Sequence, residues 1–364
     1  MSYHAELLST IDALDAIKDQ WQALCAALPE NTGFFSSYSY LRSYLDFHQP
    51  NGWVVVAIYG ADRAQLLGVF PLSIFNVQDG DNNYRACKPI GTPYAPYYDF
   101  AVRSQCRREV LSILIHNVLR GHFKCDLAFL GPLHDSSPLS IVLLEELDAP
   151  MIKMVSNRDA LSQIDTRGQT LEAYFRRRKS LTLPNARYQE RRLRKCGNVE
   201  ICLTEHGADL ANVVMELCQR NEEHFPEENY YRQHADWKTY MTQLATQLAP
   251  QGFAEIATLR LDQQVIASAL SFLQPGRRYF YLIAYDPAFG RHSPSKILMA
   301  HLIERTFAEK NVFCFGAGQY QYKLDWCQSL GDIRTPVIFY TPEARRALDE
   351  KIVAGKMSAF ISHH

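Results

Sequence analysis

One order of elements occurs twice in this chain, and that repetition limits the possible folds more than any other feature. Residues 53–59 and 66–72 are strand-like runs joined by a polar turn from Gly60 to Gln65, and a third strand is expected at 84–90. An amphipathic helix then spans 108–120, and 126–131 reads as a buried strand ending in a turn. The second half gives strands at 253–261, 265–273 and 278–285, a helix at 294–309 and a short strand at 312–316. Two helical stretches precede each set: 13–28 and 37–47 in the first, 209–224 and 236–248 in the second. The match is closest where Tyr98-Asp99-Phe100 and Tyr285-Asp286-Pro287, each followed by a basic turn and a helix, stand roughly 190 residues apart. A diverged duplication of one α/β unit accounts for the pattern.

A length of 364 residues favours two domains. The expected division is 1–155, 165–341 and a terminal helix or tail at 342–364, with the polar stretch near 155–170 as the connection. No run of about eighteen apolar residues is present to span a bilayer, and the N-terminus has neither a basic region nor an apolar stretch of the secretory type. A cytoplasmic location is expected. The nine cysteines are odd in number and show no C-x-x-C spacing, which speaks against a disulfide framework and against a thiolate metal site. No metal is expected. The net charge of −1 gives the whole molecule no general attraction to nucleic acid or acidic membrane. Locally the balance differs: Arg176, Arg177, Arg178, Lys179, Arg187, Arg191, Arg192, Arg194 and Lys195 are opposed only by Glu190.

Residues 279–296 read as strand, polar glycine-containing loop and helix start. Ser293 suits an N-cap and Pro294 the first helical position. The unpaired N–H groups and positive dipole end of such a helix make an anion site, to which Arg291, His292 and Lys296 add charge. A simple surface cap would use the same residues. Ser293-x-x-Lys296 lacks the S-D-N and K-T-G partners of the penicillin-recognising enzymes and is set aside.

The run Asp262-Gln263-Gln264-Val265-Ile266-Ala267-Ser268, followed by Ala284-Tyr285-Asp286-Pro287, Ser293-Pro294 and Gly316-Ala317-Gly318-x-x-x-Tyr322-Lys323-Leu324-Asp325-Trp326, resembles the cellulose-biosynthesis (CelD-type) acetyltransferase branch of the GNAT superfamily. The likeness is dense over 171–340. It is weaker but consistent in order over 15–150, where Phe34-Phe35, Tyr40-Leu41 and Val69-Phe70-Pro71-Leu72 carry it. These tandem proteins are related to the Fem-type transferases. The resemblance implies an α/β (α+β) fold of two tandem GNAT-like domains, each a mixed, mostly antiparallel sheet flanked by helices, and a role in polysaccharide biosynthesis.

It also implies an acyl-CoA co-substrate, acetyl-CoA first, lying along Leu282, Ile283 and Ala284 with its pyrophosphate at Gly290, Arg291, His292, Ser293, Ser295 and Lys296. An oxyanion needs backbone N–H donors, and a protonated amine acceptor needs a base; Glu255, His224, Asp286 and Asp325 are the candidates. Tyr285 or Tyr322 would return a proton to the departing thiolate, although a strand tyrosine is also an ordinary packed aromatic. Gly318 and Lys323 are assigned to substrate. The N-terminal half is expected to be degenerate and to wall the acceptor groove, with Tyr97 and Tyr98 offering rings to a sugar or aromatic acceptor.

Three positions depart from the family pattern. Cys314 stands where an acidic residue is common, Ala317 where an arginine is common, and Ser295 where glycine is usual. The leading expectation is an N-acyltransferase acting on a small-molecule or glycan-linked amine. Its rivals are a Fem-like transferase drawing on aminoacyl-tRNA, and a non-catalytic binding scaffold with a decayed site. For the basic stretch a solvated face is the default. A cofactor phosphate, an anionic acceptor and, last, RNA follow; DNA and an integral membrane segment are not expected.

Overall fold

The computed structural model describes residues 3–28, 33–91, 94–134, 137–146, 152–204, 209–224, 234–318, 320–327 and 329–353. In chain order the elements are β1 (His4–Leu8), α1 (Ile11–Ala16), α2 (Lys18–Ala26), α3 (Tyr38–His48), β2 (Trp53–Tyr59), β3 (Leu66–Asp79), β4 (Asn82–Pro89), β5 (Ala101–Val102), α4 (Arg107–Ser112, continued as π-helix over Ile113–His122), β6 (Leu127–Phe129), β7 (Leu133–His134), α5 (Pro138–Glu146) and β8 (Ile152–Asp165). There follow α6 (Leu171–Arg178), α7 (Thr182–Leu193), β9 (Val199–Thr204), α8 (Leu210–His224), α9 (Trp237–Leu248), β10 (Ala254–Leu261), β11 (Gln264–Gln274), β12 (Arg277–Tyr285), α10 (Pro294–Glu309), β13 (Val312–Ala317), α11 (Gln321–Trp326), β14 (Ser329–Phe339) and α12 (Pro342–Val353). The chain divides into two compact units, residues 1–160 with 331–364, and residues 161–330.

In the first unit the strands run in the order β1, β2, β3, β4, β6, β14, with β5 on β3 and β7 on β14. The pairs are antiparallel except β4 with β6. Alternation on β2 and β3 buries Val55, Ala57 and Val69 against Trp21, Leu24, Leu41 and Leu45 of the covering helices. Thr10 and Ser37 cap α1 and α3 by accepting from Ala13 N–H and Tyr40 N–H. The single helix expected at 13–28 is broken at Ile17, whose backbone (φ −99, ψ 3) separates α1 from α2.

The second unit has the order β8, β13, β12, β11, β10, β9, again antiparallel except for one pair, β12 with β13. Both units therefore contain an antiparallel three-stranded meander, a crossover helix, one parallel strand and a final antiparallel strand. That shared order is the physical form of the repeat seen in the sequence. The final strand is not taken from the adjoining sequence in the first unit: it is β14, whose Val337–Phe339 pair with Leu127–Phe129. In the second unit it is β8, whose Asp165 to Leu161 face Val312 to Ala317.

Two expected boundaries are thereby corrected. The segment near 155–170 is largely a strand rather than a connection, and the chain from 331 onward belongs to the first unit, not the second. Ala344, Leu348 and Ile352 of α12 pack on Phe339, Phe129 and Val77 of that first sheet; residues 354–364 of the expected tail lie outside the described residues.

Helix α10 crosses the second sheet with Ile297, Leu298, Leu302 and Ile303 buried against Ala267, Ala269 and Phe280. Its C-terminal end is fixed by charge. Glu255 on β10 is 1% exposed and pairs with Arg278 on β12, also 1% exposed, and with Arg305 at 3.0 Å; Arg305 in turn holds Glu309 at 2.6 Å. Removing one partner leaves an uncompensated buried charge. Glu255→Gln is therefore expected to lower the unfolding free energy in urea by about 3–5 kcal/mol, and a loss below about 1 kcal/mol would contradict this reading of the cluster.

Candidate active site

Strand β12 pairs with β13 over three residues only: Arg277 with Val312, Arg278 with Phe313 and Tyr279 with Cys314. Beyond them the two strands part. On β12 a bulge between the Leu270–Leu282 and Ser271–Phe280 pairs places Tyr281 as the extra residue. On β13 the register against β8 slips between Cys314 and Ala317, where Gly316 holds φ +71. Each strand thus carries an irregularity next to the place where they diverge.

The direction of the backbone groups in the opening follows from one bond. Asp286 N–H donates to Ile266 O at 2.9 Å, so alternation along an antiparallel pair turns Ala284 and Leu282 toward β11 as well. Ile283 and Tyr285 then point their N–H and C=O groups away from β11, into the side β13 has vacated. Ile283 O accepts from the side-chain amide of Asn221 on α8 at 3.1 Å. His224, the last residue of α8, lies edge-on to Tyr285 with ring centroids 4.4 Å apart. Asn221, His224, Ile283 and Tyr285 are all half-buried and line one place.

After β12 the chain makes a 3-10 turn over Pro287–His292, capped by Asp286, whose carboxylate accepts from Ala288 N–H at 2.9 Å and from the Gln264 amide at 3.3 Å. Ser293 takes the left-handed conformation, φ 50, as the last residue of that turn, and its hydroxyl makes no cap bond. The N-cap expected of Ser293 is corrected on this ground: the turn, not the serine side chain, sets the helix entry. Lys296 and Ile297 N–H groups return to Ser293 O at 3.0 and 3.2 Å. Pro294 has no N–H. Ser295 N–H has no hydrogen-bond acceptor among the described residues, and its side chain is half-buried at the helix mouth.

Arg291 is exposed and donates from Nε to His292 Nε2 at 3.0 Å. His292 is 5% exposed, and its Nδ1 has no partner among the described residues. Burial, and then the neighbouring Arg291 and Arg192 guanidinium groups, hold its proton affinity below the usual histidine range. The neutral ring therefore accepts at Nε2 and keeps the proton on Nδ1. Lys296 lies 3.8 Å from Asp325, whose other oxygen accepts from Gln321.

The remaining expected residues fall in several places. Leu282 and Ala284 are buried strand residues flanking Ile283. Gly290 packs near Tyr285, and Gly318 (φ +100) is a turn glycine whose missing side chain makes room for the Tyr320 ring. Lys323 is 4% exposed and donates to Ala317 O, with its ammonium over the Tyr320 ring, so it braces the end of β13 and offers little of itself to solvent. Tyr322 stacks on Tyr320 at 6.1 Å; burial first, then Tyr320 and Cys327, push its ionisation well upward and keep it protonated at neutral pH. Glu255 lies at the other end of β12 from the helix mouth, committed to Arg278 and Arg305, so it does not join the group around Tyr285. Tyr97 and Tyr98 lie in the first unit, 5% and 0% exposed. Tyr97 packs edge-on to Phe35, Tyr98 is bridged to Leu133, and neither presents a free ring face.

The basic stretch is divided by its contacts. Arg178 donates to Leu324 O and Cys327 O, closing the end of α11. Arg187 pairs with Glu304, and Arg194 with Glu190. Arg192 stands over the Tyr188 ring at 5.9 Å and beside His292.

Residues 176–324 match the model of the acetyltransferase (GNAT) domain family. That match assigns the second unit to acyl transfer. Among solved structures, FemX is similar over 94% of this chain and 99% of its own, with a TM-score of 0.62 at 11% identity. A conserved protein of unknown function from Bacteroides thetaiotaomicron gives 0.54 at 12% identity over 89% and 97%. The C-terminal domain (DUF2156) of a putative lysylphosphatidylglycerol synthetase from Agrobacterium fabrum gives 0.53 at 11% over 93% and 96%. At these identities the likeness is one of fold, and it extends over both units. A search of curated protein sequences finds no match.

Asn221 is the site residue that the sequence alone did not reveal. It stands one helical turn before His224, but its bond to Ile283 spans 62 residues and has no local signature. For His292 the expected outcome is an imidazole titration midpoint below about 6.5 by NMR, moving upward in Arg192→Ala. A midpoint above that value would contradict the arrangement of Arg192 and Arg291 around the ring.

Proposed function

We propose that the second unit transfers an acyl group from an acyl-CoA, acetyl-CoA first, to an amine of a small-molecule or glycan-linked acceptor. The observation that carries this reading is the parting of β12 from β13 beside the start of α10. An extended chain bearing amides fits the vacated edge at Ile283 and Tyr285, and phosphates fit Ser295 N–H, Arg291 and Lys296. The residues present thus suit such a donor, which supplies the activated thioester carbonyl. Tyr285 N–H and Ile283 N–H point where an oxyanion would need donors. His224, edge-on to Tyr285 beside the vacated edge, takes the amine proton. Tyr285, rather than the more deeply seated Tyr322, returns a proton to the leaving sulfur. The quoted motifs from Asp262 to Trp326 support placing the chain in the cellulose-biosynthesis branch, with a polysaccharide-linked acceptor.

A second reading draws the acyl group from aminoacyl-tRNA. The full-length similarity to FemX favours it, as do Arg176, Arg191 and Lys195, which are exposed and have no acidic partner among the described residues. Calorimetry separates the two. Acetyl-CoA is expected to bind with a dissociation constant on the order of micromolar, weakened at least about tenfold in Arg291→Glu. Binding of charged tRNA with no heat from acetyl-CoA would replace the first reading by the second. Binding of acetyl-CoA with no thiol release across a panel of amines would point to a scaffold with a decayed site.

A further inference from the structure

Helix α7 presents an outward face that its own unit does not use. At 3.6 residues per turn, Leu183, Ala186 and Leu193 turn inward and are buried, while Leu181, Pro184, Tyr188, Arg191, Arg192 and Lys195 gather on the opposite side, all exposed. Leu181 is 70% exposed and Tyr188 53%, more than any other large hydrophobic among the described residues. Both lie inside the most basic stretch of a chain whose net charge is −1.

The charges on this helix are sorted by position. Arg187 and Arg194, on its flank, are neutralised by Glu304 and Glu190. Arg191 and Lys195, on the outward side, have no acidic partner among the described residues, and Arg176 and Lys179 at the end of α6 add two more exposed cations. Apolar side chains ringed by unneutralised cations are the arrangement by which a helix lies in the interface of an anionic bilayer. A single-stranded nucleic acid would want several stacking rings. This face has one, with Arg192 already over it, and its most exposed residue is aliphatic.

We infer that the Leu181–Lys195 face of α7 docks the protein on a membrane surface rich in anionic lipid. No helix among the described residues is long and apolar enough to cross a membrane, so the association is peripheral, with Leu181 and Tyr188 entering the headgroup region and the cations meeting lipid phosphates. An aminoacyl-tRNA donor would compete with it for Arg191 and Lys195.

The test is co-sedimentation of the full chain with phosphatidylcholine vesicles, with or without roughly one third phosphatidylglycerol, at about 0.1 M salt. Binding is expected only to the anionic vesicles. Arg191→Glu with Lys195→Glu is expected to weaken it about thirtyfold or more, and Leu181→Ser with Tyr188→Ser about tenfold. These residues are exposed, so unchanged circular dichroism and melting midpoint should accompany both variants. Absence of binding to anionic vesicles overturns the proposal. So does binding indifferent to the Leu181 and Tyr188 changes. Retention of a uridine oligoribonucleotide instead of vesicles, lost in the charge variant, would assign the face to RNA.

Discussion

Everything in the candidate site depends on the brevity of one parallel pairing. Backbone N–H and C=O groups in a sheet interior are normally satisfied by the neighbouring strand, and leaving them without partners is costly. Here β12 gives up its neighbour after Tyr279, and the bulge at Tyr281 on one side and the Gly316 kink on the other keep the two strands from rejoining. The groups freed at Ile283 and Tyr285 are strongly directional and lie on one edge of β12, which the Pro287–His292 turn, carrying Arg291, joins to the helix start with Lys296. Such a defect is what the proposed donor, an extended chain with amide and anionic groups, requires.

The surrounding structure holds the defect in place. Glu255, Arg278, Arg305 and Glu309 clamp the far end of α10 to β10 and β12, so the helix mouth is positioned from a distance of about four turns. Asn221 satisfies one of the exposed carbonyls from below, and Lys323 fixes the end of β13 through Ala317 O. Charged residues singled out for chemistry thus divide into two kinds. Glu255 and Lys323 build the frame, while Arg291 and Lys296 stand at the helix mouth and His224 lies against Tyr285.

Most of the fold was legible where local pattern decides conformation. The meanders at β2–β4 and β10–β12 announce themselves through alternating apolar residues and short polar turns, and α10 through its apolar spacing after Ser293-Pro294. The strands β8 and β14 were not: the polar Ser156-Asn157-Arg158-Asp159 reads as part of a connection, no element is expected between 327 and 340, and only pairing with distant strands makes both regular. Their exchange between sequence neighbourhoods also displaced the expected boundary. At the site, Arg291, His292 and Lys296 stand out by their place in a strand, loop and helix-start order, but the left-handed Ser293 has the same sequence signature as an ordinary cap. The commitments of Glu255 and the reach of Asn221 are contacts across 23 and 62 residues, which no local pattern encodes.

The central claim is that the vacated edge of β12 receives the donor. Amide hydrogen exchange resolved by residue, with and without saturating acetyl-CoA, tests it most directly. The prediction is slower exchange at Ile283 and Tyr285, the two amides that face the opening, with Leu282 and Ala284, already bonded to β11, unchanged. Unaltered exchange at Ile283 and Tyr285 under conditions where the ligand is bound would contradict the account.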